Sequence, residues 1–468
     1  MKSLIIDLHN QLKSGAITPE QLVQRSKDIW LKNKDLNTII TPNFDVKPSK
    51  FDPDNLLSCI PYSLKDNICT KGILTTGGSK SMSNYVPPFS ATCYELLQVA
   101  GATLIAKDSM DELGLGGTGQ YCYTGLVKNP NNPERITGGS SSGSVSNVKL
   151  GISAFALGTD TGDSIRRPSS LVGTVGYKPT YGAISRYGVY PYAPSLDHVG
   201  IITTSVTDAV IVASYVFKHD DKDCTSSNRL NDVKLDNLKA NKNIKFVVFK
   251  SLLDKVVEPY KTKFLELVEK LKLAGHTVLI AESPDLNRHF NDLAKAYRIL
   301  SYMEGYSCWS NYTGLTYGLN IANEDDDYET TLTKNRTANF GDETKKRFAL
   351  GAYLTRAEAF EKNMKDCTTL RAILCEVEDN IFNNLGDCII MPTVHGATPK
   401  HDKPFCDSNY ADWLMLSNFS GSPSITIPLC KVDGMPFGIA LSMSLYKDMQ
   451  LLCNAYEVEN IIEGGNHE

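Results

Sequence analysis

Residues 137–167, TGGSSSGSVSNVKLGISAFALGTDTGDSIRR, constrain this 468-residue chain more than any other stretch. Two serine clusters lie among glycines: Ser140, Ser141 and Ser142 with Ser144, and then Ser164. Between them runs a small-residue segment that reads as a helix followed by a strand. Glycine beside serine permits positive φ and lets a substrate approach the main chain, which is the local geometry of a nucleophile with an oxyanion hole. By composition alone the stretch also reads as a flexible Gly/Ser linker. Against that, Val145, Val148, Leu150, Ile152, Ala154, Phe155, Ala156 and Leu157 make its middle apolar enough to bury. A buried segment with serines at both ends has the form of a site.

The bounds are those of a globular protein, with 41% hydrophobic and 22% charged residues. Length alone suggests two or three domains. A net charge of -5 argues against a broad nucleic-acid-binding face. Twelve cysteines occur without a C-x-x-C pair, which suits buried reduced thiols in a reducing compartment better than a disulfide frame or a zinc site. There is no run of eighteen apolar residues to cross a membrane. The first residues resemble neither a secretory signal, being interrupted by Asp7, nor an organellar presequence, having no arginine before Arg25.

Local signals predict an α/β chain. Thr18-Pro19-Glu20-Gln21 gives an N-cap, a proline at the first helical position and a capping-box glutamine, so a helix runs from there to about Trp30, as the second of an N-terminal pair. A strand is predicted around Thr38-Ile39-Ile40. Residues 94–100 read as a helix ended by Gly101, and residues 102–107 as a buried strand. The order helix, glycine, strand recurs at 264–280, preceded by the β-branched run 244–249, which makes a βαβ unit. Residues 219–243 read as a polar surface connection, and the acidic run 324–327 as a solvated loop.

The runs GGSSSGS, LGTDTGDSIRRP and GTVGYKPTYGAISRYGVYPYAPSLDHVG, together with PYSLKDN upstream, resemble the amidase signature family and, within it, the A subunits of tRNA-dependent amidotransferases. The resemblance is specific over residues 55–210 and weaker to about residue 460. It implies one α/β domain over residues 1–468, built on a mixed sheet with helices on both faces. Residues 55–210 would be a signature core and residues 244–460 a substrate-specificity half.

None of the eight histidines lies in a serine cluster or in the lysine motif; a Ser-His-Asp triad assembled from distant residues would have His198 as its candidate. The family uses Ser-Ser-Lys instead. By resemblance Ser164 is the acyl-enzyme nucleophile, Ser140 the bridging serine, flanked by a cis peptide, and Lys65 the general base. The backbone N–H groups of Thr161, Gly162, Asp163 and Ser164 would form the oxyanion hole, and Asp160 and Arg166 would brace the loop. Lys65 must be neutral to accept a proton, which requires burial to lower its pKa by several units; without the motif it reads as a surface lysine paired with Asp66. Two residues depart from the family pattern. Asp163 stands where glycine is common, bringing a carboxylate toward a developing oxyanion. Ser142 also replaces a glycine and would be strained at φ > 0.

For substrate, the resemblance places Tyr297 against bound glutamine, Arg347 on its α-carboxylate and Asp412 on its α-ammonium; Arg347 also reads as part of a solvated Lys-Lys-Arg face. The implied function is a glutaminase subunit, with no cofactor or metal in this chain. ATP and magnesium would be used by a B-type partner, a small C-type or organellar subunit would wrap both, and charged tRNA would be held indirectly. The departures point to the mitochondrial matrix, with the cytoplasm as alternative. A stand-alone amidase, or an idle scaffold suggested by Asp163, are the rival readings.

Overall fold

The second helix begins where its cap requires. Thr18 Oγ1 accepts the Gln21 N–H at 3.2 Å and Gln21 Oε1 accepts the Thr18 N–H at 2.8 Å, opening Pro19–Lys32. With Leu4–Lys13 it makes the predicted N-terminal pair. The computed structural model describes residues 3–230, 233–282, 284–403 and 412–464.

The strands are β1 (Ile39–Pro42), β2 (Pro61–Lys65), β3 (Thr103–Asp108), β4 (Lys128–Asn129), β5 (Asn132–Ile136), β6 (Phe155–Asp160), β7 (Val175–Lys178), β8 (His198–Thr203), β9 (Lys245–Phe249), β10 (Thr277–Ala281), β11 (Cys388–Pro392), β12 (Ser424–Val432) and β13 (Met435–Ser442). Among the described residues eleven of them form one mixed sheet in the order β1-β3-β2-β6-β8-β7-β12-β13-β11-β9-β10, and β4 and β5 pair separately. The antiparallel pairing of β7 with β12 joins the two sequence halves into one α/β domain flanked by helices. The predicted βαβ unit is β9, the helix Tyr260–Leu273 and β10, paired in parallel with Thr277 opposite Lys245. The helix Thr92–Val99 ends as predicted at Gly101, whose φ of 73° turns the chain into β3.

Two predicted surface loops stand as read and carry added anchoring. In 219–243, Asp220 accepts hydrogen bonds from Thr92 and Ser185, and Asp223 accepts one from the Arg186 N–H, while Leu230 and Val233 are buried. These short acids serve as acceptors that pin a largely exposed connection to the surface. In 324–327, Asp327 caps the helix Tyr328–Asn339 through the Thr330 N–H and Asp326 pairs with Lys334 at 2.6 Å; Glu324 and Asp325 are exposed.

The site is set by the parallel neighbours β2 and β6, held in register with Leu64 opposite Leu157. Their C-terminal ends bring Lys65, Thr159 and Asp160 together. The helix Ser142–Leu150 packs behind them, with Val145 and Val148 in a cluster with Ala156, Ile165, Val172 and Ile202. The stretch that composition allowed to be a linker is therefore core.

Candidate active site

Lys65 is the last residue of β2 and is fully buried. Its Nζ donates to Ser140 Oγ at 2.7 Å, to Thr159 Oγ1 at 2.8 Å and to the Thr159 carbonyl at 3.3 Å. Burial lowers its pKa to about 7, although Asp111, Asp160 and Asp197 pull the other way. Asp66 is not its partner: that carboxylate faces Lys107 at 3.5 Å and accepts from Thr76. A lysine near half-neutral at pH 7 can take the proton of the hydroxyl it touches.

Ser140 follows a cis Gly139–Ser140 bond, and the Asp111 N–H donates to its carbonyl at 3.2 Å. Asp111 in turn accepts the N–H groups of Gly117, Thr118, Gly119 and Tyr121, so one carboxylate shapes the loop facing Ser140. Ser142 opens its helix and is absent from the residues with positive φ, so the predicted strain does not arise. The position needs helical backbone, which any residue supplies.

Ser164 sits in the turn between β6 and the helix Arg166–Val172, and its carbonyl accepts the Ser141 N–H at 3.2 Å. The turn is clasped by Asp160. Its carboxylate accepts the Ile165 N–H at 3.0 Å, Arg166 Nε at 3.0 Å, Arg166 Nη2 at 2.9 Å and Asn418 Nδ2 at 3.0 Å. Burial alone would raise that carboxyl, but the Arg166 guanidinium and the Asn418 amide hold it well below the usual range. Among the described residues no acceptor takes the N–H groups of Thr161, Gly162, Asp163 or Ser164. They are donors available to an oxyanion.

The Asp163 carboxylate is taken up in an ion pair. It is gripped by Arg167, with Nε at 2.7 Å from Oδ2 and Nη2 at 3.1 Å from Oδ1. Burial raises its pKa and Arg167 opposes the rise. A carboxylate held by a guanidinium presents less charge to a developing oxyanion than the free one weighed from the sequence.

Tyr297 and Asp412 lie beside the same loop, and Arg347 lies near Tyr297. The ring of Tyr297, on the helix Pro284–Trp309, packs on Gly162 so closely that a Cβ there would lie 3.0 Å from it. Arg347, on the helix Asp342–Leu354, lies 5.7 Å from the Tyr302 ring centre and within electrostatic reach of Tyr192 and Tyr297; Glu343 stands 3.6 Å away. It is not the solvated face that its Lys-Lys-Arg run allowed, since its side chain is 17% exposed. Asp412 Oδ2 is buried without a hydrogen-bond partner among the described residues, and burial, then the charge of Asp163, pushes its pKa up to about 6. An unpartnered buried carboxylate oxygen suits a ligand cation.

His198 is not brought to Ser164. It lies in β8, its Nδ1 is 2.7 Å from the Leu196 carbonyl, and burial holds its pKa well below the usual value. A cavity of about 260 Å³ lined by Asn67, Gly114, Thr159, Thr161, Asp197 and His198 adjoins the Lys65 side of the loop. Among the described residues no cluster of three metal-ligating side chains occurs.

A model of the family described as Amidase matches residues 41–452. The chain belongs to the amidase family. It is 39% identical to the A subunit of glutamyl-tRNA(Gln) amidotransferase from Mycoplasma genitalium over 92% of each chain, and 38% identical to the Mycoplasma pneumoniae protein of the same name over 99% of each. The crystal structure of the A subunit of glutamyl-tRNA(Gln) amidotransferase from Thermotoga maritima superposes with a TM-score of 0.80 at 27% identity, covering 94% of this chain and 91% of that one. Peptide amidase from Stenotrophomonas maltophilia shares the fold, with a TM-score of 0.81 at 23% identity.

Within this amidase, sequence reasoning missed Thr159, Asp111 and Arg167. Only Arg167 left a signal, the i, i+4 spacing from Asp163 on a helix start. Thr159 and Asp111 meet Lys65 and Ser140 through strand pairing and a distant loop.

Proposed function

We propose that this chain is the glutamine-hydrolysing subunit of a tRNA-dependent amidotransferase. Ser164 attacks the side-chain amide carbon of glutamine, its proton passing through Ser140 to Lys65. The N–H groups of residues 161–164 receive the oxyanion. Protonation through Ser140 releases ammonia, and water then hydrolyses the glutamyl ester to regenerate Ser164. Arg347 holds the α-carboxylate, Asp412 the α-ammonium, and Tyr297 walls the pocket. The observation that carries this reading is the buried Lys65 Nζ, 2.7 Å from Ser140 Oγ with a pKa near 7.

The Mycoplasma relatives, both named as A subunits of glutamyl-tRNA(Gln) amidotransferase, support the substrate and the destination of the ammonia. A B-type partner would activate the charged tRNA with ATP and magnesium, and a small C-type subunit would join the two. No helix among the described residues is long and apolar enough to cross a membrane. The bacterial relatives support action in the cytoplasm better than in the mitochondrial matrix, since pairing with Arg167 and helical backbone account for Asp163 and Ser142 without an organellar explanation. The test is ammonia release from L-glutamine by the full chain, alone and with its co-purifying partner, beside Ser164→Ala. Release that the variant abolishes is expected. Hydrolysis of simple aryl or fatty amides with none of glutamine would overturn the reading.

A further inference from the structure

Glu112 is 4% exposed and belongs to no part of the Ser-Ser-Lys machinery, yet its carboxylate accepts three hydrogen bonds from two separate parts of the chain. Oε1 accepts Ser79 Oγ at 2.5 Å; Oε2 accepts the Gly341 N–H at 2.9 Å and Thr344 Oγ1 at 2.6 Å. The last two belong to the start of the helix Asp342–Leu354, whose own N-cap, Gly341, supplies no side-chain cap. Glu112 caps that helix from elsewhere in the chain, placing a carboxylate where unpaired N–H groups and the helix dipole favour one. The approach is close, since a Cβ on Gly341 would stand 2.6 Å from Oε2.

Two further links make this cap more than a staple. Thr344 is fully buried, and Arg347 stands three residues on, on the same side of the helix. On the other flank, the adjacent Asp111 donates its N–H to the Ser140 carbonyl, and a Cβ on Gly114 would stand 4.0 Å from Ser140 Oγ. The pair Asp111-Glu112 thus ties the bridging serine and the arginine-bearing helix to one short turn. We infer that Glu112 is a positioning residue that seats Arg347 relative to Ser140 and thereby sets selectivity for amides that carry an α-carboxylate. This rests on the reading above that Arg347 holds that carboxylate.

The experiment compares kcat and KM for ammonia release from L-glutamine and from 4-aminobutanamide, which is glutamine without its carboxylate. It uses the full chain, with its partner where turnover needs one, and the variants Glu112→Ala, Glu112→Gln, Thr344→Val and Arg347→Ala. Arg347→Ala should raise KM for glutamine about tenfold or more. Glu112→Ala and Thr344→Val should raise it about three- to tenfold with little change in kcat, and Glu112→Gln less, because one oxygen is kept. The Glu112 and Thr344 variants should not change kcat/KM for 4-aminobutanamide by more than about twofold. If Arg347→Ala acts and the Glu112 and Thr344 variants do not, the inference falls while the carboxylate reading stands. If Arg347→Ala also leaves glutamine unaffected, or the parent releases no ammonia from it, both fall. Equal losses on the two amides would make Glu112 merely structural, and should Glu112→Ala not fold, Thr344→Val decides by the same criteria.

Discussion

Lys65, Asp111 and Asp160 are each held by three or more hydrogen bonds, whereas Arg347 has Glu343 at 3.6 Å and the Tyr302 ring at 5.7 Å, and Asp412 Oδ2 has no hydrogen-bond partner among the described residues. The two regions are built differently for a physical reason. Groups that react must be fixed and desolvated before the substrate arrives, because reorganisation would add to the barrier. Groups that recognise must keep their charge unspent until a ligand satisfies it. The difference teaches that the reacting region can be tested through kcat and pH, and the recognising region through KM.

The largest effect should come from the reacting region. Ser164→Ala should lower kcat for glutamine roughly ten-thousandfold or more with KM little changed. A comparable loss that appears in KM instead would erase the distinction between the regions. Lys65→Met should be nearly as damaging to kcat while not destabilising the fold. The sign follows from linkage: with a folded pKa of about 7 against an ordinary 10.5, the unfolded chain binds more protons between those values. The burden of burying Lys65 is therefore greatest at and below pH 7, on the order of 5 kcal/mol there, and vanishes toward pH 10.5. Lys65→Met should melt higher than the parent at pH 7, by a margin that shrinks as pH rises; a variant that melts lower at every pH would show Lys65 to be a stabilising ion pair.

The fold and the reacting residues were legible to different depths. The capping box at Thr18 and Gln21, the glycine stop at Gly101 and the βαβ unit are local patterns, and each stands where its spacing indicated. The proposed reacting residues Lys65, Ser140 and Ser164 could be picked out because their flanking glycines and prolines carry the motif, and the structure brings Lys65 to Ser140. Illegible were the β7 to β12 pairing and the hydrogen bonds from Arg166 to Ser417 and Asn418, which join residues some 250 positions apart, whereas the Asp160–Arg166 pair, six residues apart, is the brace that the resemblance implied. At Asp163 the sequence left the carboxylate's direction open, because composition shows the charge without showing the Arg167 ion pair that holds it.

Smaller effects sharpen the contrast. Arg167→Ala should free the Asp163 carboxylate beside the oxyanion donors and lower kcat by roughly ten- to a hundredfold, about 1.5–3 kcal/mol, while Asp163→Gly in that background restores most of it. In the recognising region, KM for glutamine should climb as pH falls through about 6, where Asp412 loses its charge, with kcat following a separate limb. The smallest is Thr18→Ala, remote from both, which should cost about 1 kcal/mol of stability by thermal unfolding and leave both constants unchanged.

The central claim, that a buried neutral lysine drives the serines, is tested most directly by kcat for glutamine hydrolysis measured from pH 5 to 10 under saturating substrate. The account predicts a rise of about tenfold per pH unit below an apparent pKa near 7, then a plateau. A rise that continues to about pH 10, the range of an ordinary lysine, or a profile flat across the whole range, would contradict it.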